Sequence, residues 1–224
     1  PRIIVSIKDG SFFENSAFMN ALSHVKKTGG QLHIMGLFSS GSVHAYLDHL
    51  YALMHLADRE EVSAMLHLWS DGRDAPPREF HELLPLLEKK VEEENYSGIV
   101  VASLMGRFYA MDRDNNWERI EQAYRCLTGA SGESFVDPLD YVNESYNRGI
   151  EDEFLKPAWR IDGEGKPLGR VRNGDAVIVF NFREDSVREI AHAFLDQPFN
   201  KFYREKLENL LFVTMTEYEK NLGA

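Results

Sequence analysis

The chain has 224 residues, 43% of them hydrophobic and 27% charged, which suits one large or two small globular domains and excludes a disordered, collagen-like or coiled-coil chain. Its 25 Lys and Arg stand against 36 Asp and Glu, a net charge of −11 without a basic run, which argues against a nucleic-acid binder. The single cysteine, Cys126, excludes an intramolecular disulfide and a multi-cysteine metal centre, and fits a reducing compartment, the cytoplasm.

In chain order, Pro1-Arg2-Ile3-Ile4 offers neither an initiator Met nor a signal-peptide core, so the chain is expected to be processed or cut from something longer. Residues 3–7 read either as a strand or as the end of a helix. Residues 15–27 carry Phe18, Leu22 and Val25 at near-helical spacing and stop at Gly29-Gly30. Residues 32–38 read as a strand. Residues 43–57 form a helix with Leu47, Leu50, Tyr51, Met54 and His55 on one face. A strand follows at 64–69, then a long helix at 77–95, which Pro85 is expected to kink or break. Within that helix the acidic cluster 88–94 reads as a solvated face. Residues 98–104 are a buried strand; 115–127 and 138–148 are helices. Residues 154–161 and 168–171 flank Asp162-Gly163-Glu164-Gly165, which looks like a hairpin turn. A strand at 176–182, a helix at 185–194 and a strand at 210–215 complete the chain. No apolar stretch approaches the roughly 20 residues of a membrane helix.

Repeated strand–helix alternation predicts an α/β, three-layer sandwich: a mostly parallel sheet with helices on both faces. Such sheets bind ligands at the carboxyl ends of their strands. Those ends carry Ser39-Ser40-Gly41-Ser42-Val43-His44, Ser70-Asp71-Gly72-Arg73-Asp74, Gly106-Arg107 through Asp114 with Arg113, and Asn181-Phe182-Arg183-Glu184-Asp185. Guanidinium forks match carboxylate and phosphate oxygens, so arginines meeting in one crevice would suit a small ligand bearing both groups. Each signal also has a bland reading. Asp71-Gly72 is a common turn, Asp112-Arg113-Asp114 could pair its own charges and cap a helix, and His44 could be a satisfied structural histidine. His33, His49, His55 and His67 lie within apolar elements and read as core. The Ser39–Ser42 turn could bind phosphate through backbone N–H groups but lacks the Lys-Ser/Thr ending of a Walker motif. No metal, serine-hydrolase or dinucleotide motif is present.

At these same strand ends the sequence resembles cofactor-independent (2,3-bisphosphoglycerate-independent) phosphoglycerate mutase. The matching blocks are Gly36-Leu37-Phe38-Ser39-Ser40-Gly41-Ser42-Val43-His44, Asp71-Gly72-Arg73-Asp74-Ala75-Pro76-Pro77 and Gly106-Arg107-Phe108-Tyr109-Ala110-Met111-Asp112-Arg113-Asp114, with Asp152-Glu153-Phe154-Leu155-Lys156-Pro157 and Gly174-Asp175-Ala176 through Arg183 after them. The resemblance covers essentially the whole chain and implies that residues 1–224 are a single domain, the inserted phosphotransferase domain of a longer two-domain enzyme. It implies that the other, phosphatase-like domain, a partner in cis, carries two manganese ions and a phosphoryl-accepting serine, while this fragment carries no cofactor and no metal. The domain would hold the glycerate during interconversion of 3-phosphoglycerate and 2-phosphoglycerate in glycolysis, and would be inactive alone. His44, Arg73, Asp74, Arg107, Arg113 and Arg183 become the substrate-holding set, with Asp74 as the catalytic residue that exchanges protons with the glycerate hydroxyls. No nucleic acid and no membrane would be a partner.

The chain departs from the family pattern at Ser40, Ser42 and Tyr46, and at Ser186, where a second arginine usually follows the one matching Arg183. Arg188 is the nearest candidate to take over that contact. The departures keep two alternatives open: a non-catalytic binding module for phosphorylated acids, and a mutase for another phosphorylated metabolite.

Overall fold

A computed structural model describes residues 2–220 and Leu222. Residues 3–7 belong to a helix, α1 (Arg2–Asp9), and a 3-10 turn follows at Ser11–Glu14. Helix α2 (Ser16–Thr28) starts where the Asn15 side chain accepts hydrogen bonds from Ala17 N–H (2.9 Å) and Phe18 N–H (3.4 Å), and ends at Gly29. Then come β1 (Leu32–Leu37), α3 (Leu47–Arg59), β2 (Ala64–Ser70), α4 (Phe80–Glu93) and β3 (Ile99–Gly106). A single helical turn, α5 (Arg107–Ala110), leads to α6 (Trp117–Leu127), β4 (Glu133–Phe135) and α7 (Pro138–Asn147), which Asp137 caps. A 3-10 turn at Asp152–Phe154 precedes β5 (Ala158–Arg160), β6 (Ala176–Val179), α8 (Arg188–Leu195) and β7 (Leu211–Thr214).

The seven strands form one sheet in the order β4-β5-β3-β2-β1-β6-β7, and every neighbouring pair is parallel except β3 with β5. Every residue of β1, β2 and β6 is buried, the pattern of strands covered on both faces. The chain leaves β1 toward β2 and β3, then returns to the other side of β1 for β6 and β7. Right-handed crossovers therefore place α3 and α4 on one face and α8, packed against α6, on the other. The strand order reverses between β1 and β6, and a crevice opens there at the carboxyl ends.

Several expected boundaries moved. The helix expected over 43–57 begins only at Leu47, because the His44 carbonyl accepts from Phe182 N–H (2.8 Å) and ties residues 43–46 to the end of β6. The expected break at Pro85 does not occur; α4 runs through it. Pro85 lies on the exposed side of the second turn, where water can satisfy the carbonyl it leaves free. The hairpin at 162–165 reduces to a tight turn with one antiparallel bridge, Ile161 to Pro167, since Gly169 at φ 66° ends its second arm. Strand β4 was not expected.

One polar chain crosses the core. Ser103 O–H donates to His67 Nδ1 (2.7 Å), His67 Nε2–H to His33 Nδ1 (2.8 Å), and His33 Nε2–H to the Asp175 carboxylate (3.1 Å). A carboxylate only accepts, and this fixes the direction of every bond. Cys126 is buried in α6, and burial pushes its thiol pKa upward. His49 is buried beside Tyr46 and Phe182 with neither ring nitrogen hydrogen-bonded.

Candidate functional site

The loops after β1, β2, β3 and β6 enclose a cavity of about 470 Å³. Arg107 is its structural centre. Gly106 puts the start of α5 against the backbone of the 152–154 turn so closely that a Cβ there would lie 2.2 Å from the Glu153 carbonyl. The Arg107 guanidinium, largely buried, donates through one nitrogen to Asp71 Oδ1 (2.7 Å) and Asp74 Oδ2 (2.6 Å), and through the other to His44 Nε2 (3.0 Å). A guanidinium cannot accept, so His44 Nε2 is the bare nitrogen and Nδ1–H donates to Ser186 Oγ (2.9 Å). Burial, then the Arg107 charge, depresses the His44 pKa, so the ring is neutral at pH 7.

Asp71 organises the β2 loop. Its Oδ1 also accepts from Arg73 N–H (3.1 Å) and Asp74 N–H (3.0 Å), and its Oδ2 from Ser39 Oγ (2.6 Å). Burial alone would raise its pKa; the hydrogen bonds from Asp74 N–H, Ser39 and Arg107 outweigh burial and hold it below the usual carboxylate range. The β1 and β2 loops touch at Gly41, where a Cβ would lie 2.6 Å from the Asp74 carbonyl. Its neighbour Ser42 holds φ 54°, a left-handed conformation that suits glycine. Ser42→Gly is expected to raise unfolding stability by about 1 kcal/mol, read from urea melts; an unchanged or lower midpoint would show that the Ser42 hydroxyl, which donates to the Ser40 carbonyl at 3.1 Å, offsets the strain.

All seven sequence-derived site residues line this one cavity: His44, Arg73, Asp74, Arg107, Arg113, Arg183 and Ser186. The arginines do not confront each other uncompensated. Arg113 and Arg183 share Asp185 Oδ2 at 2.7 and 2.9 Å, and Arg73 at the exposed rim lies 4.0 Å from Glu153. Five arginines and four carboxylates line the cavity. Arg188 does not replace the missing family arginine: it bonds the Tyr218 carbonyl (3.2 Å) and faces a neighbouring cavity. The sequence reading passed over Asp71, Asp185 and Glu153, the carboxylates that hold the arginines; Asp71-Gly72 read as a turn. It also missed the apolar rim, in which Arg119 lies 3.9 Å over the Phe108 ring and Phe154 packs 5.1 Å from Phe108. Asp112 does not cap α6: it accepts from Asp114 and Asn116 N–H in the loop before the helix, while Arg113 reaches away to Asp185.

A doubly wound sheet with an arginine–carboxylate crevice where its strand order reverses places the chain among open α/β domains with a switch-point ligand crevice. The family model described as BPG-independent PGAM N-terminus matches residues 3–220, and the chain belongs to that family. It is 43% identical over 226 residues to a 2,3-bisphosphoglycerate-independent phosphoglycerate mutase of Moorella thermoacetica, covering all of this chain and 43% of the relative. It is 44% identical over 222 residues to the protein of that name from Clostridium beijerinckii, covering 99% of this chain and 43% of the relative. A crystal structure of Leishmania mexicana phosphoglycerate mutase at low cobalt concentration superposes with a TM-score of 0.91 at 28% identity, over 99% of this chain and 42% of that one. The chain thus spans less than half the length of these relatives.

Proposed function

We propose that this chain is the phosphoglycerate-holding domain of a 2,3-bisphosphoglycerate-independent phosphoglycerate mutase, folding as one unit. The observation that carries it is the Arg107 cluster: a buried guanidinium at the switch-point crevice joining His44, Asp71 and Asp74, with Arg73, Arg113 and Arg183 at its rim. The names of the relatives supply the ligand.

Arg113 and Arg183, tied to a single carboxylate oxygen of Asp185, keep spare N–H groups for the oxygens of a phosphoryl or carboxylate group. Asp74 is the residue that exchanges protons with the glycerate hydroxyls. Its Oδ2 is held by Arg107, while its Oδ1 has no hydrogen bond among the described residues and its side chain is a quarter exposed at 26%. Neutral His44 positions Arg107 and Ser186. The described residues hold no group of three or more side chains able to bind a metal, so the cluster does not fit a metal centre and no step here runs through one. The metal ions and the nucleophile that carries the phosphoryl group belong, in this reading, to a second domain in cis. Val43 and Phe154, 38% and 47% exposed, form the apolar edge it would meet. No helix among the described residues is long and apolar enough to cross a membrane.

Ser186 tests the reading. It is 2% exposed and lines the cavity. Ser186→Arg should tighten 3-phosphoglycerate binding by roughly 10- to 100-fold, the usual worth of charged hydrogen bonds. Calorimetry on the chain measures it, with inorganic sulfate as the control anion. Binding of sulfate but not of 3-phosphoglycerate, in parent and variant alike, would favour the module for other phosphorylated acids.

A further inference from the structure

A second cavity, of about 600 Å³, lies at the opposite end of the sheet, a size ordinary for small-molecule sites. Its walls are the C-terminal end of α6, the loop before β6 and the loop before β7, at the amino ends of strands whose carboxyl ends carry the first cavity. Arg125, Arg170, Arg172, Arg204 and Lys206 line it against one carboxylate, Glu205. In a chain of net charge −11 this is a local inversion of sign. The first cavity balances its arginines; this one does not. Arg125 is paired with Glu121 (2.6 Å) and Lys206 with Glu208 (3.1 Å). The guanidinium groups of Arg170 and Arg172 pair with no carboxylate among the described residues; that of Arg172 donates only to the Gln31 side-chain oxygen at 3.3 Å, while its backbone N–H bonds Asp175. Arg204 donates to the Asp196 carbonyl (2.7 Å) and lies 4.8 Å over the Phe199 ring, with its Nε–H buried and without a hydrogen-bond partner, so its guanidinium is turned toward Asp196 and Phe199.

The walls are fixed. Val171 N–H bonds the Leu127 carbonyl (2.9 Å), Gly174 N–H the Glu208 carbonyl (3.0 Å), and Glu208 N–H the Asn173 side chain (2.9 Å). The stem of Arg170 lies on Gly129, where a Cβ would come within 2.9 Å of it. At the edge stands Tyr203, 80% exposed, an aromatic face with nothing to cover it. Unpaired guanidinium groups around a small-molecule-sized cavity call for several anionic oxygens. A bare aromatic ring beside them offers a stacking surface.

We infer that this cavity is a second ligand site, separate from the phosphoglycerate cavity, and that it takes a nucleoside polyphosphate, phosphates on Arg170 and Arg172 and base on Tyr203. A polymer is disfavoured, since the basic residues ring one cavity instead of forming a stripe, and the rest of the surface is acidic.

The test is calorimetry on the chain with ATP, tripolyphosphate and adenosine as probes, without metal. One ATP per chain is expected, bound more tightly than tripolyphosphate, with adenosine weakest. Arg170→Ala with Arg172→Ala should weaken ATP and tripolyphosphate by at least about 10-fold. Tyr203→Ala should weaken ATP by about 5- to 10-fold and leave tripolyphosphate unchanged. All three residues are exposed, and circular dichroism verifies that the variants fold. Saturating 3-phosphoglycerate should not displace ATP. The inference fails if ATP gives no binding at millimolar concentration, if the double arginine variant binds like the parent, or if 3-phosphoglycerate competes. It fails for the nucleoside if tripolyphosphate matches ATP, and for the small ligand if a single-stranded oligonucleotide binds more tightly than ATP.

Discussion

Arg107→Ala is expected to abolish measurable 3-phosphoglycerate binding and to remove about 3–5 kcal/mol of folding stability, the cost of stranding a buried partner charge. The stranded group is Asp71, 2% exposed, which keeps its backbone and Ser39 donors but loses the one cation bonded to it among the described residues. His44 Nε2 loses its donor as well. The two losses separate with a second variant. Arg107→Met combined with Asp71→Asn removes the charges together, and should recover most of the stability without restoring binding, because packed neutral replacements of buried pairs are often tolerated. Urea melts and calorimetry on the same samples decide the matter. Wild-type binding by Arg107→Ala would remove the clamp from the proposed mechanism. A small stability loss would show that Asp71 is held by its backbone donors alone.

A loss of folding stability as pH falls below about 6.5 is the second large effect. Burial depresses the pKa of His33 and, much further, of His67. Protonating His33 at Nδ1 sets two N–H groups face to face across 2.8 Å, and protonating His67 at Nδ1 forces the Ser103 hydroxyl to turn from donor to acceptor. Burial also depresses His44 and takes His49 down to about 4. These four imidazoles stay neutral in the folded state and protonate near pH 6.5 in the unfolded chain. Stability is therefore complete above pH 6.5 and is lost as pH falls below it. Three groups oppose the trend. Burial raises Asp152 to about 6 and also raises Glu88 and Glu189, so the folded state takes up those protons first. The four imidazoles against three carboxylates leave one proton, a slope of up to about 1.4 kcal/mol per pH unit, which over a few units removes a large part of an ordinary stability of about 5–15 kcal/mol. Urea melts at pH 7.5, 6.5, 5.5 and 5.0 measure it, and a constant midpoint would refute it. His49→Leu should flatten the slope by about 1.4 kcal/mol per unit.

The central strands were legible because β1, β2, β3 and β6 are apolar runs with few polar interruptions, and burial on both faces requires that. β4 was not: Glu133-Ser134-Phe135 is short and polar, and joins the sheet through its register with Ala158–Arg160 instead of its own pattern. The helix start at 43 failed for a related reason, since a hydrogen bond from Phe182, distant in sequence, overrides local periodicity. The arginines of the site were legible as charged residues placed directly after strands. Their carboxylate partners were not. Asp71 meets Arg107 across 36 positions and Asp185 meets Arg113 across 72, and no local spacing encodes such pairs. The family resemblance located the crevice but said nothing of its internal neutralisation. The second basic cavity collects residues from three separate segments, none of them basic enough to stand out in sequence.

Cys126 has a practical consequence. The only thiol of the chain is 2% exposed, and burial keeps it protonated, whereas alkylating reagents attack the thiolate. The native protein should therefore resist maleimide labelling. A cysteine introduced at an exposed position, Val136 at 67% exposure or Leu86 at 57%, becomes a unique attachment point without first removing the natural one. Dyes or nitroxides at such positions can report distances across the sheet while ligands are added at either end.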